Sequence, residues 1–228
     1  SKIEENDFER LKNALNDFDS ISVRNEHTRK FVLSLIEKDV PIVVDPTLLI
    51  DFNEFTKNNT DIEYNLKEKY ILCYVLGKEI HGTNKAAIKR IKEYYGDIKV
   101  YAICIPTMNF NLINYADKVF YRLDPIEWLH MIKNAAFVYT DSFHGTIFSL
   151  KYRKPFFIYY ADKTRSSRLI DICKRYELRY FLINKIDDID EKIHILEKLD
   201  FERIEKIITE DKKKSISYLK RSLQGFQY

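Results

Sequence analysis

The strongest constraint on this chain is a regular alternation of short apolar runs of strand type with stretches whose apolar residues recur at helical spacing. Residues 70–76 read as a strand, 84–95 as a helix, 99–105 as a strand and 125–134 as a helix. A strand at 136–140, a short helix at 145–152, a strand at 155–160 and a helix at 166–176 follow, with charged helices from 187 to the end. Strands that are apolar throughout are buried on both faces, and helices between them make the crossovers of a parallel sheet. The expected fold class is therefore α/β, a doubly wound, mostly parallel sheet covered on both sides.

A smaller strand, helix, strand pattern lies ahead of it. Phe8, Leu11, Leu15 and Phe18 stand at three- and four-residue steps on one helix face. Residues 20–23 form a short strand ending at Arg24, and 26–37 form a second helix carrying Phe31, Val32, Leu35 and Ile36. The apolar run 40–44 is then stopped by Asp45-Pro46. The polar stretch 53–69, centred on Asn58-Asn59-Thr60-Asp61, has linker composition. The expected organisation is residues 1–52 as the end of an N-terminal α/β domain, 53–69 as linker, and 70–228 as a second domain with terminal helices.

Composition narrows the function classes. The chain has 228 residues with 38 Lys+Arg against 35 Asp+Glu, charges of both signs interspersed, which argues against duplex nucleic acid as a partner. Its five glycines form no G-x-G-x-x-G or phosphate-loop pattern. Cys73, Cys104 and Cys173 stand far apart, with no pair or histidine spacing suited to zinc; a reducing, cytoplasmic setting and no metal are expected. Residues 100–116 are uncharged but broken by Pro106 and three asparagines, so they make no bilayer span.

In a doubly wound sheet, ligands bind at the carboxyl ends of the strands, where helix N-termini attract anions. Tyr139-Thr140-Asp141-Ser142-Phe143-His144-Gly145-Thr146 follows one such strand and opens a helix. An imidazole in a helix's first turn suits proton exchange near neutral pH; the plainer alternative is a capping or gap-filling histidine. Asp141 or Ser142 is a natural N-cap, and Gly145 permits close approach of a ligand or of the next strand. A second cluster, Asp162-Lys163-Thr164-Arg165-Ser166-Ser167-Arg168, is an anion cradle by composition, or a solvated loop. If strands 136–140 and 155–160 are neighbours, His144 and this cluster share one crevice. Arg24 ends the first strand; it suits a carboxylate or phosphate, though a surface ion pair, perhaps with Glu26, is the plainer reading. Asp45 reads as a turn or cap residue, and Trp128 as core or near-core.

Asp124-Pro125-Ile126-Glu127-Trp128-Leu129, the run from Lys133 through Thr140-Asp141-Ser142-Phe143-His144-Gly145-Thr146 to Leu150, and Lys154-Pro155-Phe156 together resemble the polysaccharide pyruvyl transferase family. Ile21-Ser22-Val23-Arg24, Val44-Asp45-Pro46-Thr47-Leu48-Leu49 and Ser166-Ser167-Arg168-Leu169 resemble that family's other segments in order. The resemblance covers roughly residues 21–178 and implies a two-Rossmann-domain, GT-B-like architecture with the active site between domains. It also implies that a longer domain precedes the arginine strand, so the chain is expected to lack most of its first domain. Where some members have an arginine-leucine pair before the histidine, this chain has Ser142-Phe143, and phosphate contacts of that arginine do not carry over.

The resemblance implies phosphoenolpyruvate as donor and a sugar, or lipid-linked saccharide, of a bacterial surface polysaccharide as acceptor, with no resident cofactor. On that reading His144 is the acid-base residue. Arg24, Asp141, Ser142, Gly145, Thr146, Lys163, Arg165 and Arg168 form the substrate-binding set. The alternatives are a GT-B glycosyltransferase using a nucleotide sugar, and a noncatalytic binding module that keeps the motif. Helical spacing amid lysines in 200–223 leaves a peripheral role at the inner membrane face as the weaker option.

Overall fold

The computed structural model describes residues 5–57, 68–77, 79–105, 113–161, 163–196 and 200–224. By its internal contacts the chain divides into two compact units, Ser1–Ile50 with Arg203–Tyr228, and Asp51–Glu202.

The second unit holds a six-stranded sheet in the order β3-β2-β1-β4-β5-β6. Its strands are β1 (Tyr70–Tyr74), β2 (Lys99–Cys104), β3 (Lys118–Tyr121), β4 (Phe137–Thr140), β5 (Phe156–Tyr159) and β6 (Leu182–Ile183). Every neighbouring pair is parallel. Strands β1, β4 and β5 are apolar because both their faces are covered: Tyr70, Ile71, Leu72, Cys73, Phe137, Val138, Tyr139 and the whole of β5 are fully buried. The order reverses between β1 and β4, where Leu72 lies opposite Val138 and Tyr74 opposite Thr140. That reversal is the topological switch point of a doubly wound sheet.

The crossovers are α5 (Asn84–Tyr95), α6 (Pro125–Asn134), α7 (Phe143–Lys151) and α8 (Lys163–Arg175), with α9 (Asp187–Leu196) after β6; a short α4 (Asn53–Lys57) precedes the sheet. Local signals set their starts. Asp124 caps α6 in a full capping box with Glu127, with proline in the first turn. Thr83 caps α5. The single tryptophan, Trp128 on α6, packs edge-on against Tyr74 at 5.4 Å and against Phe148 at 5.2 Å. It is half-buried, in keeping with its expected place in or beside the core.

Two edge strands escape the sequence pattern. In β3 only Phe120 is buried, and β6 is two residues long. Edge strands are short and partly solvated, so they lack the apolar run that marks a central strand. The linker expected at 53–69 falls mostly outside the described residues.

The first unit comprises α1 (Glu5–Asn16), α2 (Glu26–Leu33), α3 (Pro46–Leu49) and α10 (Phe201–Leu223) from Arg203 onward. Val23, Val32, Ile36 and Val40 form its core, with Leu15, Ile21, Phe31, Leu35 and Ile42 packed against them. The strands expected at 20–23 and 40–44 meet in one parallel bridge, Val23 to Ile42. Val23 donates to Pro41 O at 3.1 Å and Val43 to Val23 O at 2.8 Å. Two segments with no third strand among the described residues extend no further ladder. The terminal helix, expected within 70–228, groups with this unit instead: the buried Val44 N–H donates to Ser215 Oγ at 2.9 Å, and Ser215 donates to Asp211 O. Among the described residues no helix is long and apolar enough to cross a membrane.

The buried ionisable groups make stability depend on alkaline pH. Burial pushes the Cys73 and Cys173 thiols up to about 12 from 9.0. It also raises the phenols of Tyr70, Tyr139 and Tyr159 above their ordinary 10.0. Because the folded-state values are raised, their contribution is present in full below the unfolded values and is lost as pH rises through and above them. The urea midpoint is therefore expected to hold steady at neutral pH and to fall from about pH 9 upward, read by circular dichroism.

Candidate active site

The switch point is built by the turn between β4 and α7. Thr140, fully buried, donates from its hydroxyl to Tyr74 O at 2.5 Å and accepts from the Ser142 N–H at 3.0 Å. Asp141 then reaches across to the neighbouring strand's exit: one carboxylate oxygen accepts the Leu76 N–H at 2.6 Å and the other the Gly77 N–H at 2.7 Å. These charge-assisted bonds fasten the loop after β1 to the end of β4.

Ser142 is the N-cap of α7, its hydroxyl accepting from the Gly145 N–H at 3.2 Å. Thr146 is fully buried and donates to Ser142 O at 2.9 Å. Gly145 is required by space: a Cβ there would lie 2.5 Å from Thr140 Oγ1 and 3.2 Å from Thr140 Cβ. Asp141, Ser142 and Thr146, which the sequence groups with substrate binding, also hold this turn together through the bonds just described, and Gly145 leaves room for Thr140. The polar atoms of the motif are drawn into the turn because a buried strand-to-helix junction must satisfy its own backbone groups.

His144, second residue of α7, is exposed. Its ring meets that of Phe143 edge-on, centroids 5.5 Å apart with an interplanar angle of 80°. Beside the turn, burial raises the Tyr74 phenol above its ordinary value, the Asp141 charge adds to that, and a hydrogen bond with Ser142 opposes it; Tyr74 is a neutral hydroxyl near pH 7.

Strands β4 and β5 are neighbours, with Val138 opposite Phe156 and Thr140 opposite Ile158. The helix after β5 therefore starts next to α7. Arg168 on α8 is exposed, with its guanidinium carbon 5.6 Å from the Phe143 ring centroid, within cation–π range. Ser166 is buried. Lys163 and Arg165 belong to the first turn of α8; their side chains lie outside the described residues, as does Asp162.

Arg24 belongs to the first unit. It pairs with Asp45 rather than Glu26: Nη1 stands 2.5 Å from Asp45 Oδ2, with the arginine side chain 43% exposed and the aspartate 2%. Asp45 is also the N-cap of α3, its other oxygen accepting from the Thr47 N–H and hydroxyl at 3.1 and 2.7 Å, the cap role expected of it. Glu26 faces Arg29. Among the described residues no three of His, Cys, Asp or Glu gather as a metal site. Phe143, whose ring meets both Arg168 and His144, carries no chemical signal in the sequence.

The fold recurs in solved structures. UDP-GlcNAc 2-epimerase of Methanocaldococcus jannaschii, in complex with UDP-GlcNAc and UDP, is 16% identical with a TM-score of 0.52, over 78% of this chain and 54% of that one. MnaA of S. aureus, solved with UDP, is 15% identical with a TM-score of 0.53, over 88% and 58%. A putative UDP-N-acetylglucosamine 2-epimerase from Listeria monocytogenes is 12% identical with a TM-score of 0.53, over 83% and 53%. The fold is the Rossmann-like, GT-B-type α/β class, and the chain spans little more than half the length of these structures. No curated protein matches it significantly. The family model for polysaccharide pyruvyl transferase matches residues 1–163. The chain belongs to the polysaccharide pyruvyl transferase family.

Filling the space beside Thr140 tests this framework. Gly145→Ala is expected to cost about 1–3 kcal/mol through overpacking, seen as a lowered urea midpoint with the far-ultraviolet spectrum of the folded state unchanged.

Proposed function

We propose that the protein moves a pyruvyl group from phosphoenolpyruvate to two hydroxyls of a surface-polysaccharide sugar or its precursor. The observation that carries this reading is the exposed His144 imidazole at the first turn of α7, on the switch-point side of the sheet, with the Arg168 guanidinium reaching the adjoining ring. Family membership supports the reaction class.

The reaction asks for an acid-base group and for cations. His144 delivers a proton to the methylene carbon of the donor while an acceptor hydroxyl bonds to the neighbouring carbon, and the proton of that hydroxyl returns to the imidazole. A second hydroxyl then attacks the same carbon, the bond to the phosphate oxygen breaks, and phosphate leaves with the electron pair and takes up the second hydroxyl's proton. The products are a pyruvyl ketal and inorganic phosphate. Arg168 neutralises the departing phosphate at a helix start, where backbone N–H groups add to it. Lys163 and Arg165 are the further cations assigned to the donor's carboxylate and phosphate. No resident cofactor enters this scheme. The setting proposed is the cytoplasm, with a lipid-linked acceptor presented at the inner membrane face.

A second reading, transfer from a nucleotide sugar, is favoured by one observation: two of the similar solved structures hold UDP or UDP-GlcNAc. A helix N-terminus accepts a diphosphate as readily as a phosphoenol ester. The protein incubated with acceptor saccharide and either donor separates the two. Acceptor-dependent release of inorganic phosphate is expected, and nucleotide release alone overturns the pyruvyl reading. His144→Ala is expected to lower turnover about a hundredfold or more with an unchanged melting temperature; wild-type turnover in that variant removes His144 from the mechanism.

A further inference from the structure

We propose that Phe143 is a positioning residue whose ring holds the Arg168 guanidinium beside the His144 imidazole, so that a cation and an acid-base group meet one anionic ligand. The inference rests on the reading of His144 and Arg168 given above and adds the group that brings them together.

Phe143 is the first residue of α7, half-buried, and touches both partners. Its ring centroid lies 5.6 Å from the guanidinium carbon of Arg168 and 5.5 Å from the centroid of the imidazole. It stands on rigid ground: Ser142 caps the helix, and residues 145–150 behind it are all buried. Arg168 is the mobile party by chemistry. Its side chain is exposed, and apart from the Phe143 ring it has no hydrogen bond or ion pair with a described residue. A long exposed arginine loses much rotamer freedom when a ligand fixes it. A guanidinium already resting on an aromatic ring has met part of that cost, and its N–H groups remain available to an oxyanion. Besides His144 the turn offers no cationic side chain, since residues 139–146 contain neither Lys nor Arg. The cation for this corner must come from another element, and the ring is what receives it.

The test is a double-mutant cycle on anion binding. Wild type, Phe143→Leu, Phe143→Tyr, Arg168→Ala and the Phe143→Leu/Arg168→Ala pair are titrated calorimetrically with phosphoenolpyruvate, inorganic phosphate and UDP. Melting temperatures are measured alongside. Phe143→Leu is expected to weaken binding about two- to fivefold, the range of an exposed cation–π contact. Phe143→Tyr, which keeps the ring, is expected to bind as wild type. In the Arg168→Ala background the leucine substitution is expected to have little further effect. Losses that simply multiply, or a tyrosine variant no better than the leucine one, overturn the proposal, as does a wild type that binds none of the three anions. Binding of phosphate or UDP with the coupling intact, but none of phosphoenolpyruvate, supports the positioning role while removing the pyruvyl donor.

Discussion

One carboxylate fixes the geometry on which the candidate site depends. At the switch point of a parallel sheet the loops leaving adjacent strands diverge toward opposite faces, and nothing in the strand ladder itself holds them in register beyond the last pair, Tyr74 and Thr140. Asp141 takes up that role with two short bonds to consecutive backbone N–H groups of the β1 exit. Thr140 adds a third tie to Tyr74 O. The turn is thereby held from both strands, and the helix it starts leaves in one direction.

That division of labour explains why a motif rich in polar groups exposes so few of them. A strand-to-helix junction in the interior generates unpaired backbone donors, and burial makes each of them costly. Asp141, Ser142, Thr140 and Thr146 answer that need. His144, in the same first turn, is exposed. The same separation holds in the first unit, where Asp45 caps α3 and pairs with Arg24 while the arginine keeps nearly half its surface in solvent.

Much of the fold was legible in the sequence because the central strands are apolar without interruption. The spacing that places helices at 84–95 and 125–134 coincides with α5 and α6, and strands 70–76, 136–140 and 155–160 contain β1, β4 and β5. What escaped was edge structure: β3 buries one side chain and β6 is a single pair of residues, so neither leaves a run to detect. The grouping of α10 with the first unit was equally hidden, since amphipathic spacing says that a helix has a buried face but not what covers it. At the site, motif and turn were legible, but hydrogen-bond direction was not. Asp141 and Ser142 have residue types that serve a ligand or a backbone equally well, and the backbone partners they bond are visible only in the coordinates. Phe143 was invisible for a different reason: an aromatic in a helix's first turn is unremarkable until a guanidinium from another helix is found over its ring.

The lone indole of the chain has a practical value of its own. Trp128 is wedged between Tyr74, whose carbonyl receives the Thr140 hydroxyl, and Phe148 in the middle of α7. Its fluorescence therefore reports from directly behind the turn, with no competing emitter of its kind. A shift in the colour of that emission registers loosening of the β1 and β4 exits without any label having to be attached.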